Sequence, residues 1–279
     1  MTAFLALWKK LLNESKVMLA MIALALFGLS WLSVYRTFIV LGQLAGDDER
    51  KAMRTRGGLM QIGGPSMDFS AGAIEAIHLY WLFLMIPIFL VVAWAVSRGT
   101  AAIAGELERG SMDLILSRPI SRTAFFNAHL AMTFFGFGLF MIAIIGGNFV
   151  GARFNTLEEP AGFWAVARPT FNLLALGMAV FGYSVFFSSL DLVRWRPMLA
   201  ASTITLAQFI IFAIANQPDW DEWRWLNKAT VFGGFYPIEA AARGDQLARH
   251  FGILFAVFAV GTSLAFLVFQ RRDLPAGGG

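Results

Sequence analysis

The sequence predicts an all-α integral membrane protein with six transmembrane helices, folded as a single domain over residues 1–279. Of the 279 residues, 58% are hydrophobic and 14% are charged, whereas soluble globular proteins have about 45–50% apolar and about 25% charged residues. The mean hydropathy is +0.65. These values exclude a water-facing enzyme domain. The lack of cysteine also excludes disulfides, thiolate catalysis and cysteine-ligated metals.

Six long stretches carry almost no Asp, Glu, Lys or Arg, and each is close to the length of about 20 apolar residues that a membrane-spanning helix needs. The hydropathy of these stretches is nearly continuous, which excludes the alternating strands of a membrane β-barrel. The predicted spans are about 17–41, 76–97, 123–150, 169–190, 197–216 and 251–270.

The segment before the first span predicts an amphipathic helix that lies at the membrane interface. Phe4, Leu7, Trp8 and Leu11 recur at helical spacing, with charged and polar side chains on the other side. The alternative is that this segment simply begins the first span. We expect that span to be retained rather than cleaved as a signal peptide, because its apolar run is long and lacks a small-residue cleavage site.

The distribution of Lys and Arg predicts that both termini are cytoplasmic. Basic residues are denser per residue in the segments on that side, and the short turn between spans four and five contains Arg194 and Arg196. The net charge of +4 is therefore interpreted as an orientation signal rather than as a nucleic-acid surface. Tryptophans near the predicted span ends indicate an interfacial belt. They are Trp31, Trp81, Trp94, Trp164 and Trp195.

The chain carries no pattern typical of a catalytic, cofactor or metal site. Its three histidines are isolated in sequence, and no G-x-x-x-x-G-K-[ST] phosphate-binding loop occurs. We therefore expect no enzyme activity in this chain. A channel or secondary carrier is disfavoured because the predicted span cores lack ionisable residues. Polar residues within the spans, such as Asn172 and Gln208, are expected to join helices by hydrogen bonds.

The densest motif lies between spans two and three, at residues 98–122. Gly110 suits the C-terminal cap of a helix that extends span two, and Ser111 suits the N-cap of a new short helix. Pro119 prevents that helix from continuing. A helix this apolar is expected to dock on a membrane surface or in a groove of a partner. Its apolar residues are Met112, Leu114, Ile115 and Leu116.

Residues 104–122 resemble the cytoplasmic loop of the ABC-2 type ABC transporter permeases, which follows a pattern like A-G-E-x-E-x-G-[ST]-[LM]-[ED]-x-L-L-[ST]-x-P-[IVL]-[ST]-R. Met112 and Ile115 stand where leucine is commoner in that family. The six spans and the Tyr236–Pro237–Ile238 sequence before the last span also fit, although only the loop is specific. The similarity is greatest to the small six-span permeases of bacterial export and copper-enzyme maturation operons.

The resemblance implies that the loop forms a cytoplasmic coupling helix that inserts into a cleft of a separate ATPase subunit. Glu106, Glu108 and Arg109 would lie on the approach helix, Gly110 would form the break, and residues 111–117 would insert. The residues expected to contact the ATPase are Glu106, Glu108, Arg109, Gly110, Ser111, Met112, Asp113, Leu114, Ile115, Leu116, Ser117, Arg118 and Pro119.

The resemblance also implies an assembly of two permeases with two ATPases, in which the second permease is another copy or a paralogue. ATP and Mg²⁺ would bind only to the ATPase. The expected location is the cytoplasmic membrane of a prokaryote, and the expected function is ATP-driven transport, most simply export. The alternative is an assembly or signalling subunit that transmits ATPase motion to an extracytoplasmic partner without moving a solute.

Overall fold

The computed structural model describes residues 2–43, 85–110, 112, 120–154, 162–216, 221–236 and 247–272. Within these ranges the chain is almost entirely helical and contains no β-strand. The six long helices are α1 Thr2–Gln43, α2 Met85–Thr100, α3 Arg122–Phe154, α4 Phe163–Leu190, α5 Trp195–Ala215 and α6 Leu247–Arg271. Two 3₁₀ helices, Asp221–Ala229 and Val231–Gly234, lie between α5 and α6.

In the part of the chain that the structure describes, six helices are long and apolar enough to cross a membrane. Their candidate spans range from 21 to 33 residues, and about 20 residues suffice for the hydrocarbon core. The predicted all-helical class is therefore confirmed, with six helices long and apolar enough to span a membrane. Which side of the membrane holds the termini stays a prediction.

The N-terminal segment is continuous with the first span, which is the alternative stated above, and its location at the membrane interface stays a prediction. Helix α1 runs without interruption from Thr2 to Gln43 and contains no proline that would break it. Leu11 is 0% exposed, and Trp8 packs edge-on against Phe135 of α3 at 5.6 Å between ring centroids. The apolar side of this segment therefore faces the protein.

Helix α4 is the centre of the helical bundle and packs extensively against both α2 and α6, while α1 pairs with α3. Glycines allow these close approaches. A Cβ atom on Gly182 of α4 would lie 2.8 Å from the Phe258 Cα of α6, and one on Gly151 of α3 would lie 3.0 Å from the Val34 Cβ of α1. Helix backbones thus touch at both interfaces, as small residues allow in membrane proteins.

Trp94 lies in the interior rather than in an interfacial belt. Its side chain is 0% exposed and packs edge-on against Phe140, 5.5 Å between ring centroids. Gly136 of α3 makes room for the indole, since a Cβ there would lie 2.6 Å from the ring. Trp81 lies outside the described residues. The remaining tryptophans of the predicted belt are exposed, and they are Trp31, Trp164 and Trp195.

Helix α5 is the least buried of the six. Only 17% of the residues in its most apolar 18-residue stretch are buried, compared with 72% in the corresponding stretch of α4. Large apolar side chains on α5, including Leu199 and Leu206, are more than half exposed. Such a surface is stable in lipid or against another apolar surface, and not in water.

Candidate coupling site at the end of α2

Helix α2 continues beyond Thr100 as a helical extension of residues 101–110, which we call the α2 extension. It begins with a π-helical turn, Ala101–Gly105, and ends with one α-helical turn, Glu106–Glu108. Gly110 terminates it with φ +64°, and its N–H donates to the Leu107 carbonyl at 3.0 Å. A left-handed glycine at this position is the helix end that the sequence predicts.

The α2 extension is joined to α1 by an alternating network of charges. Glu106 is 0% exposed and accepts hydrogen bonds from Arg109 Nη2 at 2.7 Å and from Lys10 Nζ at 2.9 Å. Glu14 lies 3.6 Å from Lys10 Nζ and 3.4 Å from Arg109 Nη1. Because Glu106 is buried, its ion pairs are protected from solvent screening, whereas the pairs of Glu14 are exposed and weak.

A second contact joins the α2 extension to the turn between α4 and α5. Glu108 Oε2 accepts a hydrogen bond from the Arg194 backbone N–H at 3.0 Å. The Arg194 guanidinium donates to the Ser97 carbonyl at 3.3 Å and to its hydroxyl at 3.2 Å. Burial lowers the pKa of Arg194, as does the nearby positive charge of Arg109, while Glu108 raises it. The C-terminal part of the α2 extension is thus held both by α1 and by the α4–α5 turn.

The π-helical turn is bonded to a side chain of α4. Ser188 Oγ accepts hydrogen bonds from the backbone N–H groups of Ile103 at 3.2 Å and Ala104 at 2.9 Å, and it donates to the Thr100 carbonyl at 2.9 Å. Ser188 and all five residues of the turn are buried. Sequence reasoning missed this serine, because serines are common in membrane spans and nothing in the local pattern distinguishes it.

A buried arginine also lies within α2, where the sequence predicted no ionisable group in a span core. Arg98 is 7% exposed, donates from Nη1 to Ser15 Oγ at 2.9 Å, and lies 5.8 Å from the centre of the Trp94 ring. Its Nε and Nη2 atoms have no hydrogen-bond partner among the described residues. The apolar stretch ended one residue earlier, at Ser97, but the helix and its burial continue to Glu106.

The sequence-predicted contact residues divide into three groups. Glu108, Arg109 and Gly110 are exposed at the end of the α2 extension. Glu106 and Met112 are 0% and 1% exposed and pack within this chain, and their contact with an ATPase stays a prediction. The other predicted residues lie outside the described part of the chain, and they are Ser111, Asp113, Leu114, Ile115, Leu116, Ser117, Arg118 and Pro119.

Arginines close the ends of α4 and α6 on the same side of the bundle. Arg122 Nη1 donates to the Phe269 carbonyl at 2.9 Å and to the Arg272 carbonyl at 2.8 Å. Arg272 Nη1 in turn donates to the carbonyls of Ser189 at 2.8 Å and Asp191 at 3.0 Å. These bonds satisfy carbonyl groups that a helix end leaves unpaired. An open cavity of about 370 Å³ beside them is lined by Ser189, Leu190, Val268, Arg271 and Arg272.

At the opposite end of the bundle, α4 holds the loop that precedes α6. Asn172 is 1% exposed, donates from Nδ2 to the Gly234 carbonyl and accepts from the Tyr236 N–H, both at 2.9 Å. Gln208 of α5 accepts from the Val231 N–H at 2.9 Å. Both polar residues therefore join a long helix to the 3₁₀ helix Val231–Gly234 through its backbone.

The described residues contain no group of three His, Asp or Glu side chains that could hold a metal ion. Comparison of the chain with protein-family models, with curated proteins and with solved structures finds no significant match.

Proposed function

We propose that this chain is the membrane-spanning permease subunit of an ABC-2 type exporter, whose energy comes from a separate ATPase subunit. One observation carries the proposal. The α2 extension, which is held to two neighbouring elements, ends at Gly110 with Glu108, Arg109 and Gly110 exposed. This end lies within residues 104–122, the sequence that resembles the coupling loop of the family. A firmly held helix end can pass on a movement that a flexible loop would absorb.

In the proposed assembly, two permeases and two ATPases form the working unit in the cytoplasmic membrane of a prokaryote. Both termini and the α2 extension face the cytoplasm. ATP and Mg²⁺ bind to the ATPase, and this chain contributes no catalytic residue. The exposed apolar surface of α5 is available for lipid or for the second permease, which is another copy or a paralogue.

The proposed transmission begins when the ATPases close on ATP and displace residues 111–119. The α2 extension carries this displacement to α1 through Lys10 and Glu106, and to the α4–α5 turn through Glu108. The buried pair at Glu106 makes the first connection strong, because separating it would leave charges in a poorly solvated site. Both connections leave from the same short helical segment, so one displacement moves two parts of the bundle.

A second function is favoured by the contacts of α4. At one end this helix binds the α2 extension through Ser188, and at the other it binds residues 234–236, which precede α6, through Asn172. These residues are about 24 Å apart along the helix axis, at 1.5 Å per residue. A continuous helix bonded at both ends suits a subunit that transmits ATPase motion to an extracytoplasmic partner without moving a solute.

Co-purification tests the ATPase assignment. A tagged chain is extracted from the membranes of its native host, and the captured proteins are identified by mass spectrometry. We expect a subunit with a phosphate-binding loop and ATP hydrolysis in the purified complex. The variant Leu114→Asp/Leu116→Asp should lose that subunit while it still inserts into the membrane, because docking would bury the two introduced charges at a large cost in free energy. The matched control is Leu192→Asp, since Leu192 is an exposed leucine in the α4–α5 turn.

Unchanged capture of the ATPase by Leu114→Asp/Leu116→Asp would contradict the coupling assignment. A structure of the ATP-bound complex separates the two functions. A continuous path between the permeases supports export, whereas a sealed permease interface supports transmission to an extracytoplasmic partner.

A further inference from the structure

We infer that Ser188 is a positioning residue, which sets the rotation of the α2 extension by holding the turn Ala101–Gly105 in its π-helical form. The structural part of this inference concerns the chain alone. Its functional part, that Ser188 determines how the α2 extension meets the ATPase, depends on the proposed function.

A π-helical turn is wider than an α-helical one and contains an additional residue, and it usually occurs as a single turn at a functional position. The turn Ala101–Gly105 obtains hydrogen bonds from outside its own helix. Two of its backbone N–H groups donate to Ser188 Oγ, and the Thr100 carbonyl accepts from the same hydroxyl. Ser188 thus uses its one donor and both of its acceptor positions on this turn.

Water cannot take the place of this hydroxyl in the described conformation. Thr100, Ile103, Ala104 and Ser188 are each 0% exposed. Helices α2 and α4 also touch one turn earlier, where a Cβ on Gly99 would lie 3.0 Å from the Val185 backbone nitrogen. Removing the hydroxyl would therefore leave buried backbone groups unpaired, unless the turn changes its hydrogen bonding.

The simplest such change is closure of the wide turn into a regular α-helix. The additional residue of the wide turn then passes into the following turn, and everything after it rotates by about 100°, because an α-helix has 3.6 residues per turn. Glu106 would then leave Lys10, and Glu108 would leave the Arg194 N–H. The π-helical turn and both contacts of the α2 extension consequently form one cooperative unit, and Ser188 is the part of it that belongs to α4.

Because of this arrangement, a movement of α4 affects the rotation of the α2 extension, and a rotation of the α2 extension affects α4. When α4 withdraws Ser188, the turn loses its partner and the α2 extension can rotate. When the ATPase rotates the α2 extension, the turn no longer presents its N–H groups to Ser188. The two states differ in a discrete rotation, as a switching element requires.

Hydrogen–deuterium exchange on the full chain in lipid nanodiscs, without any ATPase, tests the structural part. In Ser188→Ala we expect exchange in residues 101–108 to be about tenfold faster or more, because two backbone N–H groups lose their acceptor. The matched control is Ser184→Ala. Ser184 is also buried on α4, but its hydroxyl donates within its own helix, to the Val180 carbonyl at 2.7 Å. We expect its exchange in residues 101–108 to match that of the unmodified chain.

Two further variants keep the test decisive. Ser188→Thr retains the hydroxyl and should restore slow exchange, and Ser188→Cys, a weaker hydrogen-bonding group, should give an intermediate rate. If Ser188→Ala does not accumulate in membranes, the cysteine variant provides the same comparison with Ser184→Ala. Equal exchange in the Ser188 and Ser184 variants would overturn the inference.

The functional part is tested with the ATPase co-purified as described above. Ser188→Ala should capture less ATPase than Ser184→Ala, because rotation of the α2 extension breaks the contacts of Glu106 and Glu108. In the complex that still forms, addition of ATP should no longer change hydrogen exchange in residues 231–236, next to the far end of α4. An ATP-dependent change that persists in Ser188→Ala would refute this part. If no ATPase is captured at all, the proposed function fails, whereas the exchange result on the isolated chain still tests the structural part of the inference.

Discussion

Two groups of basic residues lie on the same side of the bundle, and they use their charges differently. At the ends of α4 and α6, Arg122 and Arg272 donate to backbone carbonyls. At the α2 extension, Lys10 and Arg109 pair with the carboxylate of Glu106. The first group closes helix ends, which any helix needs. The second joins two specific side-chain partners across two helices, and it lies beside the segment that continues into residues 111–119.

This difference indicates which of the two regions belongs to the proposed transmission path. A capping arginine can be replaced by water at an exposed helix end, so its loss should affect stability locally. A buried carboxylate with two cations fixes the relative position of its helices and is costly to disrupt. We therefore expect variants of the first group to leave ATPase capture unchanged, and variants of the second to reduce it.

The largest effect should come from removing both cations of Glu106. Lys10→Ala/Arg109→Ala removes the two positive charges that the structure pairs with this buried carboxylate. We expect a loss of about 3 kcal/mol in the free energy of unfolding, the lower end of the range for breaking a buried ion pair, because Lys10 and Arg109 are themselves partly exposed. Denaturant unfolding in detergent measures it. Adding Glu106→Gln to this variant should recover most of the loss, and a triple variant as unstable as the double one would contradict the ion-pair explanation.

A smaller effect is expected from Arg272→Gln at the ends of α4 and α6. The variant loses two charge-assisted hydrogen bonds, to the Ser189 and Asp191 carbonyls. Bonds to charged groups contribute about 1.5–3 kcal/mol in proteins, and we expect a loss at the lower end of this range because Asp191 is near solvent. The decisive measurement is ATPase capture, which should stay normal. Reduced capture would mean that both basic groups belong to the transmission path.

Gly110 provides a test of the helix end itself. Its φ of +64° is strained for other residues, at about 1–2 kcal/mol for the left-handed conformation. We expect Gly110→Val to reduce ATPase capture, because it alters the direction in which the chain leaves the α2 extension. Gly110→Asn is the matched control, since asparagine tolerates this conformation, and it should behave like the unmodified chain. Identical capture by the valine variant would show that this direction is unimportant.

The smallest effect is expected from Glu14→Gln. Glu14 pairs with Lys10 and Arg109 at the surface, with about a third of its side chain exposed. Exposed pairs contribute about 0–1 kcal/mol and weaken with salt. Unfolding measured at low and high salt should show a loss below about 1 kcal/mol that disappears at high salt. A larger, salt-independent loss would mean that Glu14 stabilises Glu106 more directly than its exposure indicates.

Much of the architecture could be predicted from the sequence. Apolar length alone identifies the six helices, and glycine at the end of an amphipathic extension identifies the break at Gly110, because both signals are local. The continuity of α1 could also have been expected, since no residue breaks the helix between its charged start and its apolar part.

The remaining features depend on contacts between distant parts of the chain. Residues 101–105 are Ala-Ala-Ile-Ala-Gly, which has no local preference for a π-helical turn; the turn exists because Ser188 meets it. The burial of Trp94 depends on Gly136 in α3. Arg98 and Glu106 lie outside the span that the sequence predicts, because charge ends an apolar stretch. Both are buried in the structure, since α1 supplies Ser15 and Lys10 as their partners.

The length of α1 has a consequence for how the protein fits its bilayer. Its charge-free run, residues 17–35, covers 19 residues, or about 28 Å at 1.5 Å per residue, which matches a hydrocarbon core about 30 Å thick. The preceding part of α1, which carries Lys9, Lys10 and Glu14, belongs to the same continuous helix. A change in bilayer thickness alters the tilt of a spanning helix, and because Lys10 is bonded to Glu106, a change of tilt also moves the α2 extension. Bilayer thickness is thereby connected to the position of the residues that precede the proposed coupling loop.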